Sequence, residues 1–251
     1  GRGWMNYGLA LKRKGDYEEA LAAYQKSYEL MPGYGYLHIN FGVLYNAMGN
    51  PKQAEPHFKY ALQLRPDLPE AYYYYGFFLY QQQRYSEAVY YFERTLALSP
   101  AFSSAPEMLM DTYLKAGEWQ KLHAYVTDQL KRYPGNENAK TYLQLYEQEK
   151  QQLEQRQAAI AANPTHDELI ELSLSYYRFG DYQACITTCK QALQLQPNSH
   201  LAYNNICSAH NALQQWQPAI EACLKALAIK PDFELAKNNL SYAREQLQTQ
   251  P

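Results

Sequence analysis

The sequence lacks long hydrophobic runs and an excess of charge of one sign. Its longest uncharged aromatic run, residues 71–80, contains Gly76, whereas a helix that crosses a bilayer needs about 20 apolar residues. The 23 basic residues are balanced by 25 acidic residues. The lack of a long apolar run predicts no direct membrane insertion. Because no basic stripe is present to neutralise phosphates, we also do not expect nucleic acid as the main partner.

Cysteine is also scarce, and its four residues all lie in the second half of the chain, at Cys185, Cys189, Cys207 and Cys223. They are too few for a disulfide framework. Four thiolates could hold a zinc ion, but these positions fall on core faces of helices, where free cysteine packs as a small hydrophobic residue. We therefore expect buried free thiols, and a metal site or a disulfide is the alternative.

The motifs of common catalytic sites are absent as well. The sequence contains no glycine-rich phosphate loop and no Gly-x-Ser-x-Gly motif, and His166-Asp167-Glu168 lacks the second histidine of a His-Glu-x-x-His motif. The six histidines occupy scattered positions with no shared partner. We expect no enzymatic activity, no metal and no cofactor.

What the sequence does contain is a 34-residue period. Small, aromatic and turn residues recur in three successive repeats: Tyr7, Gly8, Gly15, Ala20, Tyr24 and Pro32; Phe41, Gly42, Gly49, Ala54, Phe58 and Pro66; Tyr75, Gly76, Gln83, Ala88, Phe92 and Pro100. Such a period indicates stacked supersecondary units, each too small to bury its own apolar face. Each unit has the pattern of helix, turn and helix, because proline stops the second helix and the small residues let the paired helices approach closely.

The period predicts an all-α solenoid of helix–turn–helix repeats, interrupted by one long helix. We expect four repeats in residues 1–136, a connecting helix or degenerate repeat in 137–165, and two repeats with a terminal capping helix in 166–251. The predicted repeats are 1–34, 35–68, 69–102, a degenerate 103–136, 166–199 and 200–233, and the capping helix is 234–248.

The period fails between Asn136 and Asn163, a stretch without glycine or proline that is rich in Gln, Glu and Lys. Its apolar residues alternate at spacings of four and three, which predicts one helix of about 27 residues. A spacer helix that leans on the fourth repeat is one interpretation. A short coiled-coil dimer seam is the other, although Lys150 and Gln157 weaken it.

The turn and second helix of a repeat, as in residues 16–20 and 181–185, closely resemble those of the tetratricopeptide repeat family. The resemblance covers about six full repeats. It implies a right-handed superhelical solenoid whose concave groove is lined by the first helix of each repeat, at repeat positions 2, 5, 6, 9, 12 and 13. Members of this family are general protein–protein interaction scaffolds, but a fold does not fix an activity.

That carry-over assigns thirteen candidate peptide-binding residues: Asn6, Tyr36, Asn40, Tyr73, Tyr74, Phe77, Tyr80, Tyr177, Arg178, Asn204, Asn205, Asn238 and Asn239. Asparagine recurs at repeat position 6 and can pair with the backbone of an extended peptide. This series resembles the asparagine ladder of O-linked N-acetylglucosamine transferases, and local hydrogen bonding is the alternative. The aromatic residues of 72–80 cannot all face one side of a helix, so some form an exposed patch or pack between repeats.

The function that these observations favour is a non-catalytic scaffold that binds an extended peptide or a partner helix in the groove. The alternative is an accessory repeat region of a larger enzyme, of the membrane-embedded or glycosyltransferase type, because the chain starts inside a repeat at Gly1. Weak self-association through the open solenoid ends or the long helix is a further possibility. The compartment stays open between cytoplasm and periplasm.

Overall fold

The computed structural model describes residues 1–249, which form fourteen α-helices and no strand. The all-α prediction is confirmed. The helices are α1 Arg2–Lys14, α2 Tyr17–Leu30, α3 Gly35–Ala47, α4 Pro51–Leu64, α5 Pro69–Gln81, α6 Tyr85–Leu98, α7 Ala105–Ala116, α8 Trp119–Arg132, α9 Glu137–Ile160, α10 His166–Arg178, α11 Tyr182–Leu195, α12 His200–Ala212, α13 Trp216–Ile229 and α14 Glu234–Gln248.

The chain divides into two compact units, residues 1–116 and 117–251. Unit 1 contains α1 to α7 and unit 2 contains α8 to α14. The division falls between the two helices of the predicted fourth repeat. In each unit successive helices pair as hairpins, and the second helix of a hairpin also contacts the first helix of the next, as α2 contacts α3 and α11 contacts α12.

The turn between the two helices of each predicted repeat has a similar conformation. Position 15 of the six predicted repeats has a positive φ: it is glycine in four of them, with φ between 71° and 96°, and glutamine in the other two. Gln83 and Gln214 adopt φ of 60° and 58°, in a region that costs a residue with a side chain about 1 kcal/mol. The stacked helices on both sides of the turn therefore impose its geometry even where the local sequence does not favour it.

In the first two repeats the paired helices approach closely at position 8. A Cβ atom built on Gly42 would lie 2.8 Å from the Phe58 ring, and one on Gly8 would lie 2.6 Å from the Tyr24 ring. Phe58 and Tyr24 are fully buried. The glycine thus provides the space into which an aromatic ring of the second helix packs, which is the steric role that the sequence predicted.

Glu55 of α4 joins the second repeat to the third. The Tyr75 hydroxyl of α5 donates to Glu55 Oε1 at 2.8 Å, and Arg84 Nη1 donates to Oε2 at 3.0 Å. Partial burial acts to raise the pKa of Glu55, but hydrogen bonds from Lys59, Tyr75 and Arg84 outweigh it and hold that pKa below its usual value. The charged carboxylate is therefore the form that the packed repeats favour.

The long helix predicted between residues 136 and 163 is α9, which has 24 residues. The Asn136 side chain caps its N-terminus by accepting a hydrogen bond from the Ala139 amide at 3.1 Å. The helix contacts α8 and α10, and Ala139 is its one fully buried residue. A dimer seam along the exposed remainder stays a prediction.

The expectation of four free cysteines is wrong for two of them. Cys207 of α12 and Cys223 of α13 form a disulfide with a Cα–Cα distance of 5.3 Å, while Cys185 and Cys189 are free and buried. Cys207 and Cys223 occupy the facing core positions of one hairpin. Because these positions bring the two helices closest together, cysteine at both of them meets the geometric condition for a bridge.

We predict that changing Gly42 to alanine destabilises unit 1, because the new methyl group overlaps the buried Phe58 ring. The expected loss is about 1–3 kcal/mol of unfolding free energy, measured by urea denaturation. Gly3→Ala is the matched control, since a Cβ there meets nothing within 4 Å, and its better helix propensity stabilises the protein by up to about 1 kcal/mol. Equal effects of the two changes would contradict the close-approach role of Gly42.

We also predict that two of the four cysteines resist alkylation when the oxidised chain is denatured, because they form the disulfide. Mass spectrometry after alkylation without reductant then shows two modified cysteines, and reduction exposes all four. Because the bridge spans 16 residues of sequence, it stabilises unit 2 by about 3 kcal/mol in the chain-entropy estimate. Four modified cysteines without reductant would show that the bridge does not form.

Candidate functional site

The first helices of successive repeats lie side by side within each unit. In unit 1, α1 contacts α3, α3 contacts α5 and α5 contacts α7, and in unit 2, α10 contacts α12 and α12 contacts α14. The candidate residues from the sequence all lie on these helices. We call the surface that they form in each unit its first-helix face.

The aromatic residues of α5 divide between the core and the surface of unit 1. The Tyr73 ring is half-buried, with its centroid 5.7 Å from that of Phe92 and 4.8 Å from that of Phe102. Phe77 stacks on Tyr73 at 6.4 Å, and Tyr74 contacts the Tyr73 ring edge-on at 5.5 Å. Tyr74 is 38% exposed, so it is the most accessible ring of the cluster, and Tyr73 and Phe77 are partly buried.

Two further tyrosines of unit 1 flank this cluster. The Tyr80 hydroxyl donates a hydrogen bond to the Asp111 carboxylate of α7, and its ring packs on Tyr85 at 5.3 Å. Tyr36 of α3 is partly buried, and this burial, together with the charge of Glu70, raises its pKa. Tyr80 therefore connects neighbouring repeats, and Tyr36 offers a neutral ring on the first-helix face.

The two candidates at the end of α10 differ in burial. Tyr177 is partly buried against Tyr182 at 5.2 Å, and burial raises its pKa to about 12. Arg178 is exposed, and its aliphatic stem lies beside Gly117. Of these two, Arg178 is the residue with a charged group accessible to a ligand.

The two candidate asparagines of unit 1, Asn6 and Asn40, have free side-chain amides. Asn6 is exposed and Asn40 is partly buried, and neither side chain forms a hydrogen bond with any described residue. At the repeat positions that bind the asparagines of unit 2, positions 5, 8 and 9, the repeat before Asn40 has Met5, Gly8 and Leu9. None of these three has a polar side chain, so the amide of Asn40 keeps its two donors and its acceptor for another molecule.

The asparagines of unit 2 are bonded to each other and to nearby serines. Asn205 donates to Ser173 Oγ at 3.1 Å, and Asn239 donates to Asn204 Oδ1 at 3.1 Å and to Ser208 Oγ at 2.9 Å. Asn204 and Asn205 are buried. These hydrogen bonds hold α10, α12 and α14 together, which is the local role that the sequence left open as the alternative for this series.

Asn238 differs from its neighbour in α14. It is exposed, and its side chain forms no hydrogen bond with any described residue. Among the candidate asparagines of unit 2, Asn238 is therefore the one whose side-chain amide is free.

The expectation that the histidines share no partner is wrong for one pair. His38 Nδ1 lies 3.1 Å from His57 Nδ1, and His38 Nε2 lies 2.8 Å from the Pro32 carbonyl oxygen. Because that carbonyl can only accept, neutral His38 carries its proton on Nε2 and accepts a hydrogen bond from His57 Nδ1–H. The His57 ring also stacks on Phe41 at 4.9 Å and on Tyr45 at 5.5 Å.

The structure shows neither a metal centre nor a membrane span in residues 1–249. No group of three or more His, Cys, Asp or Glu side chains is placed to hold a metal ion in that range. None of the helices there combines the length and the hydropathy that crossing a bilayer requires.

We predict that acid weakens unit 1 through the histidine pair. Burial, reinforced by the nearby His38, lowers the pKa of His57 to about 4, and burial also lowers the pKa of His38. The unfolded chain binds protons at a pKa of about 6.5, so the unfolding free energy falls as the pH decreases from about 6.5 towards 4.

His57→Phe keeps the stacking and removes one titrating ring. Between pH 7.5 and pH 5.0 the wild type is expected to lose about 1–2 kcal/mol more unfolding free energy than this variant, measured by urea denaturation. Equal losses in the two proteins would show that the pair does not carry the acid sensitivity.

Comparisons with known proteins agree on the repeat. Models of the tetratricopeptide repeat match residues 2–67, 40–102 and 169–199, which together are more than half of the chain. No curated protein matches the sequence.

Three solved structures illustrate the likeness in fold. Naa15/Naa10 bound to HypK-THB has a TM-score of 0.52 and 15% identity, covers 97% of this chain, and is matched over 39% of its own chain. Pseudomonas aeruginosa PilF has a TM-score of 0.48 and 16% identity, with 96% of each chain covered. YrrB, described as having an unusual peptide-binding site, has a TM-score of 0.40 and 18% identity, with 86% of this chain and 96% of that chain covered. The period, the helix hairpins and the family matches agree: the chain belongs to the tetratricopeptide repeat family.

Proposed function

We propose that this protein is a non-catalytic interaction scaffold that binds an extended peptide or a partner helix on the first-helix face of unit 1. The observation that carries the proposal is the combination on α3 and α5 of an accessible aromatic cluster with an unpaired amide. Tyr74 is exposed beside Tyr73 and Phe77, and the Asn40 amide has no partner in the described chain.

The two kinds of group have complementary uses in peptide recognition. The Tyr74 and Phe77 rings provide a surface for an apolar, proline or arginine side chain of the partner. The Asn40 amide can accept from and donate to the partner's backbone without reading its side chains. Affinity would come from the rings, and the extended conformation of the partner would be fixed by the amide.

Membership of a family of interaction scaffolds supports this class of function. The sequence has no catalytic motif, which fits a binding role. An accessory role beside a catalytic region and self-association through α9 both stay predictions, since no contact in the structure favours either of them.

In unit 2 the corresponding amides are already used. Asn205 and Asn239 bond to neighbouring repeats, so an incoming backbone would have to replace these internal hydrogen bonds. We therefore propose that unit 1 provides the main peptide surface, with Arg178 and Asn238 as additional accessible contacts on unit 2.

We predict that the double change Tyr74→Ala and Phe77→Ala weakens partner binding at least about 30-fold, because truncating a hot-spot aromatic costs about 2 kcal/mol or more. The measurement is calorimetric titration with a peptide selected from a random library displayed on phage against the full chain. Tyr90→Ala is the matched control, since Tyr90 is 54% exposed in the same repeat but lies on the second helix, α6.

The asparagines allow a second matched comparison in the same assay. Asn40→Ala should weaken binding of the selected peptide and leave the unfolding free energy nearly unchanged. Asn205→Ala should cost about 1 kcal/mol of unfolding free energy through its lost hydrogen bond to Ser173, with little change in affinity. If the Tyr74 and Phe77 double variant binds as tightly as the wild type, the proposed surface is wrong.

A further inference from the structure

A small cavity at the C-terminal end of unit 2 has no assigned role. Its volume is about 340 Å³. It lies where the ends of α12 and α14 meet the start of α13, and Asn211, Gln214, Trp216, Tyr242 and Gln246 contribute to its wall. The wall contains no charged side chain.

The Asn211 side chain, which contributes to this wall, has an unpaired acceptor beneath the wall surface. Asn211 is 8% exposed. Its Nδ2 donates to the Asn239 carbonyl oxygen at 3.0 Å, which fixes the orientation of the amide. Its Oδ1 atom is buried and has no hydrogen-bond partner.

The Trp216 indole, in the same wall, has an unpaired donor beneath the wall surface. Trp216 is 7% exposed, and its Nε1 atom is buried without a hydrogen-bond partner. The Tyr242 ring contacts the indole edge-on at 5.9 Å and is itself 49% exposed. Tyr242 is therefore the more accessible of these two rings.

Two unpaired buried polar groups at one cavity require an explanation, because each costs about 1–3 kcal/mol. A ligand that removes both costs must offer an acceptor to the indole and a donor to the amide oxygen. A carboxylate offers no donor and an ammonium offers no acceptor, and either charge would be buried against an uncharged wall at a high cost. A carboxamide is neutral and provides both groups.

We propose that this cavity binds a carboxamide group of the polypeptide partner, with its oxygen accepting from Trp216 Nε1 and its N–H donating to Asn211 Oδ1. The proposal rests on the proposed function in that the partner is a polypeptide. Because both atoms lack exposed surface, the carboxamide enters as Tyr242 turns away from the indole. The group comes either from a glutamine or asparagine side chain or from the partner's backbone.

Three small probes test this proposal without knowledge of the partner. They are the N-acetyl, N-methylamide derivatives of glutamine, glutamate and glycine, titrated into the full 15N-labelled chain. The readout is the indole N–H signal of Trp216, one of three tryptophans in the chain. We expect the glutamine probe to shift this signal saturably. Its dissociation constant should be on the order of millimolar, because the ligand is small. The glutamate probe should bind at least about tenfold more weakly.

The glycine probe identifies the source of the carboxamide. It carries backbone amides alone, so weaker binding than that of the glutamine probe assigns the site to a side chain, and equal binding assigns it to the backbone. If neither amide probe shifts the Trp216 signal, or if the glutamate probe binds as well as the glutamine probe while the glycine probe binds more weakly than both, the proposal is overturned.

Trp216→Phe removes the donor and keeps an aromatic ring in the wall. Binding of the glutamine probe, followed on the backbone amide of Gln214, should weaken about tenfold or more. Trp119→Phe is the matched control, because Trp119 occupies the same position of its repeat, at the start of α8, and should leave binding unchanged. Equal binding by the wild type and Trp216→Phe would also overturn the proposal.

This test and the test of the proposed function fail separately. The probes report on unit 2 alone, whereas the Tyr74 and Phe77 double variant reports on unit 1. Loss of peptide binding in that variant with no response to the amide probes would leave the scaffold function in place and remove the carboxamide site.

Discussion

The packing of one aromatic ring of the second helix into the space above a glycine of the first helix determines the geometry of the hairpins in unit 1. Tyr24 over Gly8 and Phe58 over Gly42 are two examples, and neither glycine has room for a methyl group. This contact sets the distance between the paired helices, and the next repeat packs on the pair. The first helices, which carry the first-helix face, are therefore held in position by their packing against the second helices.

That face differs between the two units because of three repeat positions. Where unit 1 has Met5, Gly8 and Leu9, unit 2 has serine or asparagine partners for the asparagines of the following helices. Asparagine at repeat position 6 is thus free in unit 1 and is a structural hydrogen-bond donor in unit 2. This difference is the reason that we propose unit 1 as the main peptide surface.

Much of the fold was predictable from the sequence, since proline, glycine and the 34-residue period specify where helices stop and which faces pack. The period cannot determine which side chains meet across neighbouring helices. His38 and His57 lie on antiparallel helices of one hairpin, and Cys207 and Cys223 occupy ordinary core positions, so neither pair has a sequence signature. The unpaired atoms of Asn211 and Trp216 likewise depend on side-chain orientation, which a repeat pattern does not specify.

The central claim is that the partner lies on the first helices of unit 1. Hydrogen–deuterium exchange of the full chain, with and without the selected peptide, tests it most directly. The account predicts that the peptide slows exchange in α3 and α5 and leaves α4 and α6 unchanged. Protection confined to α4 and α6, or to unit 2, would contradict it.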